Sequence, residues 1–204
     1  MSIVKLNNRG VRSVTAFGSL TSGAMTFIKK LTASSSSTLS FVDGSSDVVL
    51  DNTYKEYLFT FNNIHPSGNA VHFTVGFRDG ETDYDAVKTT TMFRAFHSEA
   101  DDANAVAYDT GYDLAQSTDF QELAYGIGNG NDQSTSGYLH LFNPSSTTFV
   151  KHFIANSNML FEADYTINQF TAGYCNTTSA IDAVQFKMSS GNIDAGDICL
   201  YGIL

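Results

Sequence analysis

What most limits the fold of this chain is a series of short segments in which aromatic and β-branched residues alternate with polar ones, each closed by a turn signal. The clearest is Tyr54-Lys-Glu-Tyr-Leu-Phe-Thr-Phe61, where Tyr57, Phe59 and Phe61 fall on one side and Leu58 on the other. That two-residue period belongs to a half-buried strand. Thr38–Val42 alternates up to Asp43-Gly44, and Val71–Phe77 alternates up to Asp79-Gly80; aspartate-glycine is a strong turn dipeptide. Met25–Leu31, Asp47–Asp51, Gly137–Phe142, Thr147–Ile154, Met159–Ile167, Phe170–Cys175, Ile181–Met188 and Asp197–Leu204 complete the expected strands. The strand Tyr54–Phe61 is expected to be ended by Asn62–Gly68, which contains Pro66.

Two stretches read less clearly. Residues 79–105 are polar and acidic around a short apolar island, Met92–Phe96, and residues 106–125 suit a short helix in part and bent strands in part. Gly126-Ile-Gly-Asn-Gly130 lacks the lysine and hydroxyl of a phosphate loop and reads as a tight turn. Short strands at fairly regular spacing predict an all-β chain: an antiparallel β-sandwich, jelly-roll-like, over residues 25–204. The 13% aromatic content, all Phe and Tyr, fits pleated packing surfaces. No repeat of 20–50 residues is visible.

Residues 1–24 differ from the rest. They hold Lys5, Arg9 and Arg12 and no acid, whereas the whole chain carries a net charge of -10. This is expected to be an extended N-terminal docking arm, its charge opposite to that of the body it leaves. The acidic balance argues against a nucleic-acid binder, which has to displace cations from phosphate, and against an anionic membrane surface. No signal peptide and no apolar run of about 18 residues is expected to direct or span a membrane. The sequon Asn176-Thr177-Thr178 carries no weight without a secretion signal. Cys175 and Cys199 read as buried free thiols, or as a disulfide between two late strands if maturation occurs outside a reducing cytosol.

Little in the chain has the form of catalytic chemistry. Asp79, Glu81, Asp83 and Asp85 alternate as candidate oxygen ligands for a hard cation, against the alternative of a solvated hairpin tip. The five histidines have no metal-ligand spacing, although His140 and His152 are placed to lie on neighbouring strands. No GxSxG is present, and Met188-Ser-Ser-Gly191 has no elbow context. Paired glycosidase carboxylates come from distant strands and leave no local trace. The expectation is a protein that is not an enzyme and needs no cofactor. Tyr84, Tyr108, Tyr112 and Tyr125 lie in the loop-rich middle, where rings either stack on the apolar faces of sugars or pack beneath the loops. The first three are candidate glycan contacts.

Several segments resemble structural proteins encoded by marine tailed phages, such as those that infect cyanobacteria. They are Tyr57–Pro66, Leu139-His-Leu-Phe-Asn-Pro144 with Val150-Lys-His-Phe153, Ala172-Gly-Tyr174 leading to Asn176–Ile181, and Phe186–Gly196 closing with Leu200-Tyr-Gly202. Leu6-Asn-Asn-Arg-Gly10 is similar to the attachment segment of their tail-fibre-like members. The resemblance implies a virion component, on the tail or decorating the capsid, with other virion proteins and further copies of itself as partners, a trimer among the oligomers considered. It brings no catalytic or ligand residue. There is no long shaft, which favours a short surface knob or a cement subunit.

Overall fold

A computed structural model describes residues 24–204; the expected docking residues Lys5, Arg9 and Arg12 lie outside them. The described chain is all-β and antiparallel. Twelve strands follow one another: β1 Met25–Thr32, β2 Leu39–Val42, β3 Glu56–Pro66, β4 Val71–Arg78, β5 Lys88–Ser98, β6 Asn104–Tyr108, β7 Gln121–Ile127, β8 Thr135–Phe142, β9 Lys151–Phe161, β10 Tyr165–Cys175, β11 Ala183–Met188 and β12 Ile193–Ile203.

The strand neighbours explain how one sheet encloses a core. One run of eight strands reads β1-β12-β3-β8-β9-β10-β5-β6, and a run of four reads β7-β4-β11-β2. The two runs are joined where Ile127 of β7 pairs with Phe161 of β9. At the other side Ser36 and Ile193 exchange backbone hydrogen bonds of 2.8 Å, so the sheet curls until it nearly closes into a barrel. Gly126 makes the β7–β9 joint feasible. It takes a φ of +64, and a Cβ there would stand 2.2 Å from the Phe161 ring, so only glycine fits the close approach.

Alternation does the sorting predicted from the sequence. Tyr57, Phe59 and Phe61 of β3 point inward and are all but fully buried. Across the interior stand Phe73, Val75 and Phe77 of β4, Phe41 of β2 and Phe186 of β11. Phe186 is the hub: its ring centroid is 5.5 Å from Phe59, 5.3 Å from Phe61, 5.7 Å from Phe73 and 6.3 Å from Phe41. Phe77 reaches Phe153 of β9 at 5.0 Å. Most of these pairs are edge-on, the arrangement that ring quadrupoles prefer.

The structure corrects four expectations. Asp47–Asp51 forms no ladder. Asp47 has a φ of +66, and the segment turns so that the N–H of Leu50 donates to Asp43 Oδ1 at 2.8 Å and Val48 and Leu50 drop into the core. β3 does not stop at Phe61: it runs on into Asn62–Gly68 through a bulge at Asn63 and ends at Pro66, which pairs with Ile193. Met159–Ile167 is not one strand but the β9–β10 hairpin, turning at Asp164, whose φ is +62. Residues 106–125 contain no helix, and the island Met92–Phe96 sits within an eleven-residue strand, β5. The final segment behaves as expected, since β12 is paired on both sides, by β1 and β3.

The fold therefore hinges on the Phe186 ring. Phe186→Ala is expected to lower unfolding free energy by about 4 kcal/mol, the cost of a large buried cavity. Chemical denaturation followed by circular dichroism measures it; a loss below about 1 kcal/mol would show that the rings around it do not depend on it.

Candidate functional site

The inner and outer faces of the eight-stranded run differ sharply, and the outer face is the most distinctive surface among the described residues. Register places its residues in straight rows. One row crosses all eight strands as Tyr108, Phe93, Phe170, Asn156, Tyr138, Thr60, Cys199 and Lys30. The next row on one side runs Thr91, Ala172, Ile154, His140, Leu58, Tyr201 and Phe27. On the other side Val106, Ala95, Asn168, Asn158 and Ser136 line up. Ten large apolar side chains are exposed among the described residues, and all but Phe149 and Leu204 are on this face, seven in these rows and Met25 just beyond.

Charge is nearly absent there. Of the chain's 21 acidic and 11 basic residues, the three rows contain only Lys30, whose Nζ is 3.2 Å from Asp197 Oδ2. His140 Nε2 stands 3.0 Å from Glu56 Oε2 in the row beyond. The amides satisfy one another: Asn156 Nδ2 donates to Asn168 Oδ1 and to the Gln169 carbonyl, and Asn158 Nδ2 donates to Thr166 Oγ1 at 3.1 Å. A large exposed apolar patch with few charges is the mark of a contact surface.

A second feature lies on the inner side of β5 and β10, towards the β9–β10 turn. A cavity of about 370 Å³ is walled by Arg94, Phe96, Tyr125, Phe161 and Tyr165. The Arg94 guanidinium lies 4.3 Å from the centre of the Tyr125 ring, and its Nη2 is 2.9 Å from Asp109 Oδ2, while its buried Nε has no hydrogen-bond partner. Tyr125 stacks on His72 and touches Tyr112 at 5.0 Å. Of the candidate glycan contacts, Tyr112 thus joins this group with Tyr125. Tyr108 lies instead on the outer face of β6, its hydroxyl donating to Asp113 at 2.6 Å, and Tyr84 sits in the 79–86 loop. Arg94 was not among the candidates, because nothing in a strand's sequence tells which inward arginine will meet a ring.

Behind Tyr125, His72 Nδ1 stands 3.4 Å from Glu122 Oε2. Burial, with Asp109 nearby, pushes the Glu122 carboxyl up to about 7, and burial lowers the His72 imidazole. Both shifts favour a neutral acid beside a neutral imidazole.

Asp79, Glu81, Asp83 and Asp85 share an exposed loop, tied down where Asp85 bridges Phe77. Among the described residues no three His, Cys, Asp or Glu side chains converge as a metal site. His140 and His152 do fall on the paired strands β8 and β9. Cys175 and Cys199 are free and buried. Cys175 lies between two fully buried lysines, Lys88 and Lys151, its partners on β5 and β9. Each ammonium is held by backbone carbonyls, Lys88 by Ala86 at 2.7 Å and Lys151 by Thr177 at 3.0 Å and by Ser179. Burial outweighs both lysines and pushes the Cys175 thiol up to about 12, so it stays protonated and unreactive at neutral pH.

The Glu122 shift has a definite sign. The folded state holds this proton more tightly than the unfolded chain, so the stabilisation is full below the ordinary carboxyl range and is lost as pH rises through about 7. Glu122→Gln keeps the neutral form at every pH. It is expected to raise the melting temperature relative to the parent at pH 8, by about 1–3 kcal/mol in free energy, and to make little difference at pH 5. Equal effects at both pH values would contradict this assignment. No helix among the described residues is long and apolar enough to cross a membrane. In comparisons with known proteins, no family model, no curated protein and no solved structure matches this chain.

Proposed function

We propose that this chain is a structural protein of a tailed phage particle, displayed on the particle surface as a capsid-decorating or cement subunit or as a short tail or fibre component. It works by packing and is not an enzyme. It is assembled in the host cytoplasm and becomes part of the virion. Its partners are other capsid or tail subunits and further copies of itself, and residues 1–24 are the arm that anchors it.

The observation that carries this reading is the outer face of the eight-stranded run. Its rows hold aromatic and aliphatic side chains with one formal charge, and polar groups already bonded to one another. A surface of that kind serves contact. The strand order adds support. β1, β3, β8 and β12 share one half, and β2, β4, β7 and β11 share the other, each half a four-stranded antiparallel group. We read this as the wiring of a jelly-roll-like sandwich, with the hairpins β5–β6 and β9–β10 added to one sheet. Sandwiches of this sort supply rigid blocks for shells and knobs.

Deleting residues 1–20 is expected to leave the β-rich circular dichroism spectrum unchanged and to abolish incorporation into particles. Normal incorporation of the shortened chain would overturn the anchoring role.

A second reading, a glycan-binding module that recognises the host surface, is favoured by the cavity beside Arg94. Tyr125 and Phe161 offer apolar ring surface to a pyranose, while Arg94 and Asp109 supply donors and acceptors suited to neighbouring hydroxyls. On a glycan array the chain is expected to bind through this cavity, with Arg94→Ala and Tyr112→Ala each reducing the signal at least tenfold, about 1.4 kcal/mol. An absent signal, or one indifferent to both substitutions, removes this reading and leaves the structural one in place.

A further inference from the structure

We infer that the outer face of the eight-stranded run is a self-association surface, occupied by a second copy of this chain. The inference rests on the assembly reading above and names which surface and which partner it uses.

The size is right. The three rows hold eight, seven and five residues, and at roughly 4.8 Å by 6.7 Å for each residue they cover roughly 640 Å². That lies within the roughly 600–1,000 Å² that each partner contributes to an interface of ordinary size. The charge is right for self-contact in particular. Two chains of net charge -10 repel each other over most of their surface. Here they meet without setting acid against acid, because the rows hold no carboxylate.

The shape is also self-complementary, which a two-fold interface requires because the same patch serves both subunits. Phe93 and Phe170 stack at 4.8 Å with their planes 8° apart and stand proud of the sheet, 44% and 40% exposed. One row along the same strand, Ala172 is too short to fill its place. It leaves a hollow of about 480 Å³ walled by Thr89, Thr91, Ile154 and Tyr174. A ring pair and a receptacle of matching chemistry lie side by side on one face. The ring pair of each copy enters the hollow of the other, and Ile154, 48% exposed, is covered in the same step. The amides cost little to bury, since Asn156 and Asn158 already donate within the sheet.

The full chain, at rising concentration, can be followed by sedimentation velocity or light scattering. The parent is expected to self-associate with a Kd of about 10 µM or tighter. Phe170→Asp removes half of the ring pair, and Ala172→Arg fills the hollow with a charge. Each is expected to weaken association at least tenfold while circular dichroism and melting temperature stay near those of the parent. Phe149→Asp, at a still more exposed ring outside these rows, is expected to change nothing. Unchanged association of two well-folded face variants would overturn the inference. So would a parent that remains monomeric at about 100 µM, whether the face is then covered by residues 1–23, by another particle protein or by nothing. A monomeric parent that still enters particles sinks this inference alone; a chain absent from particles sinks the assembly reading itself.

Discussion

The packing of the Phe186 ring against Phe41, Phe59, Phe61 and Phe73 is the contact on which the rest of the structure depends. Those five rings come from β2, β3, β4 and β11, so they tie the four-stranded run to the eight-stranded one. Backbone pairing between the runs is slight: Ile127 with Phe161 on one side and the Ser36–Ile193 bridge, just ahead of β2, on the other. Hydrogen bonds set the order of strands within each run. The rings decide that the runs lie over each other, since burying apolar area is the dominant favourable term in folding. With the inward side committed in this way, the two-residue period leaves the other side of every wide-run strand facing out.

What faces out could therefore be chosen for another purpose, and the wide run uses that freedom unevenly. Its loops carry acids such as Asp79, Glu81, Asp101 and Asp102, while its outer rows carry rings, small residues and mutually bonded amides. The inner side of β5 and β10 reverses the usual assignment. Lys88, Thr90, Gln169 and Thr171 are buried there, and each has partners: Thr90 Oγ1 donates to Gln121 Oε1 at 2.6 Å, and Gln169 Nε2 to the Glu122 carbonyl at 3.0 Å. A largely paired polar layer of this kind, in which Gln169 Oε1 lacks a partner, is tolerated where an unpaired one is not. It also leaves Arg94 beside Tyr125 at the open end of the same layer.

That reversal explains how far the sequence could be read. β3, β4 and β11 alternate between apolar and polar residues, so their existence was legible and, for β3, the inward face as well; β8 was legible as a strand, although it buries Leu139 and Leu141 and turns its rings outward. β5 was not, because its buried positions begin Lys88, Thr90 and its exposed positions include Phe93, the inverse of the pattern that identifies a strand. The turn at Asp164 was hidden for a different reason: Glu162-Ala163-Asp164 contains neither glycine nor proline, and an aspartate supplies the positive φ. The outer face was legible only residue by residue. Tyr108, Phe93, Phe170 and Tyr138 lie far apart in the chain, and only the register of five strands brings them into one row. The Arg94 cavity depends on packing between strands and left no sign in the sequence.

The placement of β12 has a consequence in time. It fills the slot between β1 and β3, with Met25 paired to Ile203 and Glu56 also paired to Ile203. During synthesis the wide run stays split at that slot until translation has passed residue 203. The β8–β9 and β9–β10 hairpins can zip up behind the ribosome and β8 can pair with β3, but the other edge of β3 waits bare for its last neighbour. A chain wired this way closes its sheet only once β12 has been made, slowly because the closing contacts are so distant in sequence, and it is most exposed to wrong strand partners in that interval.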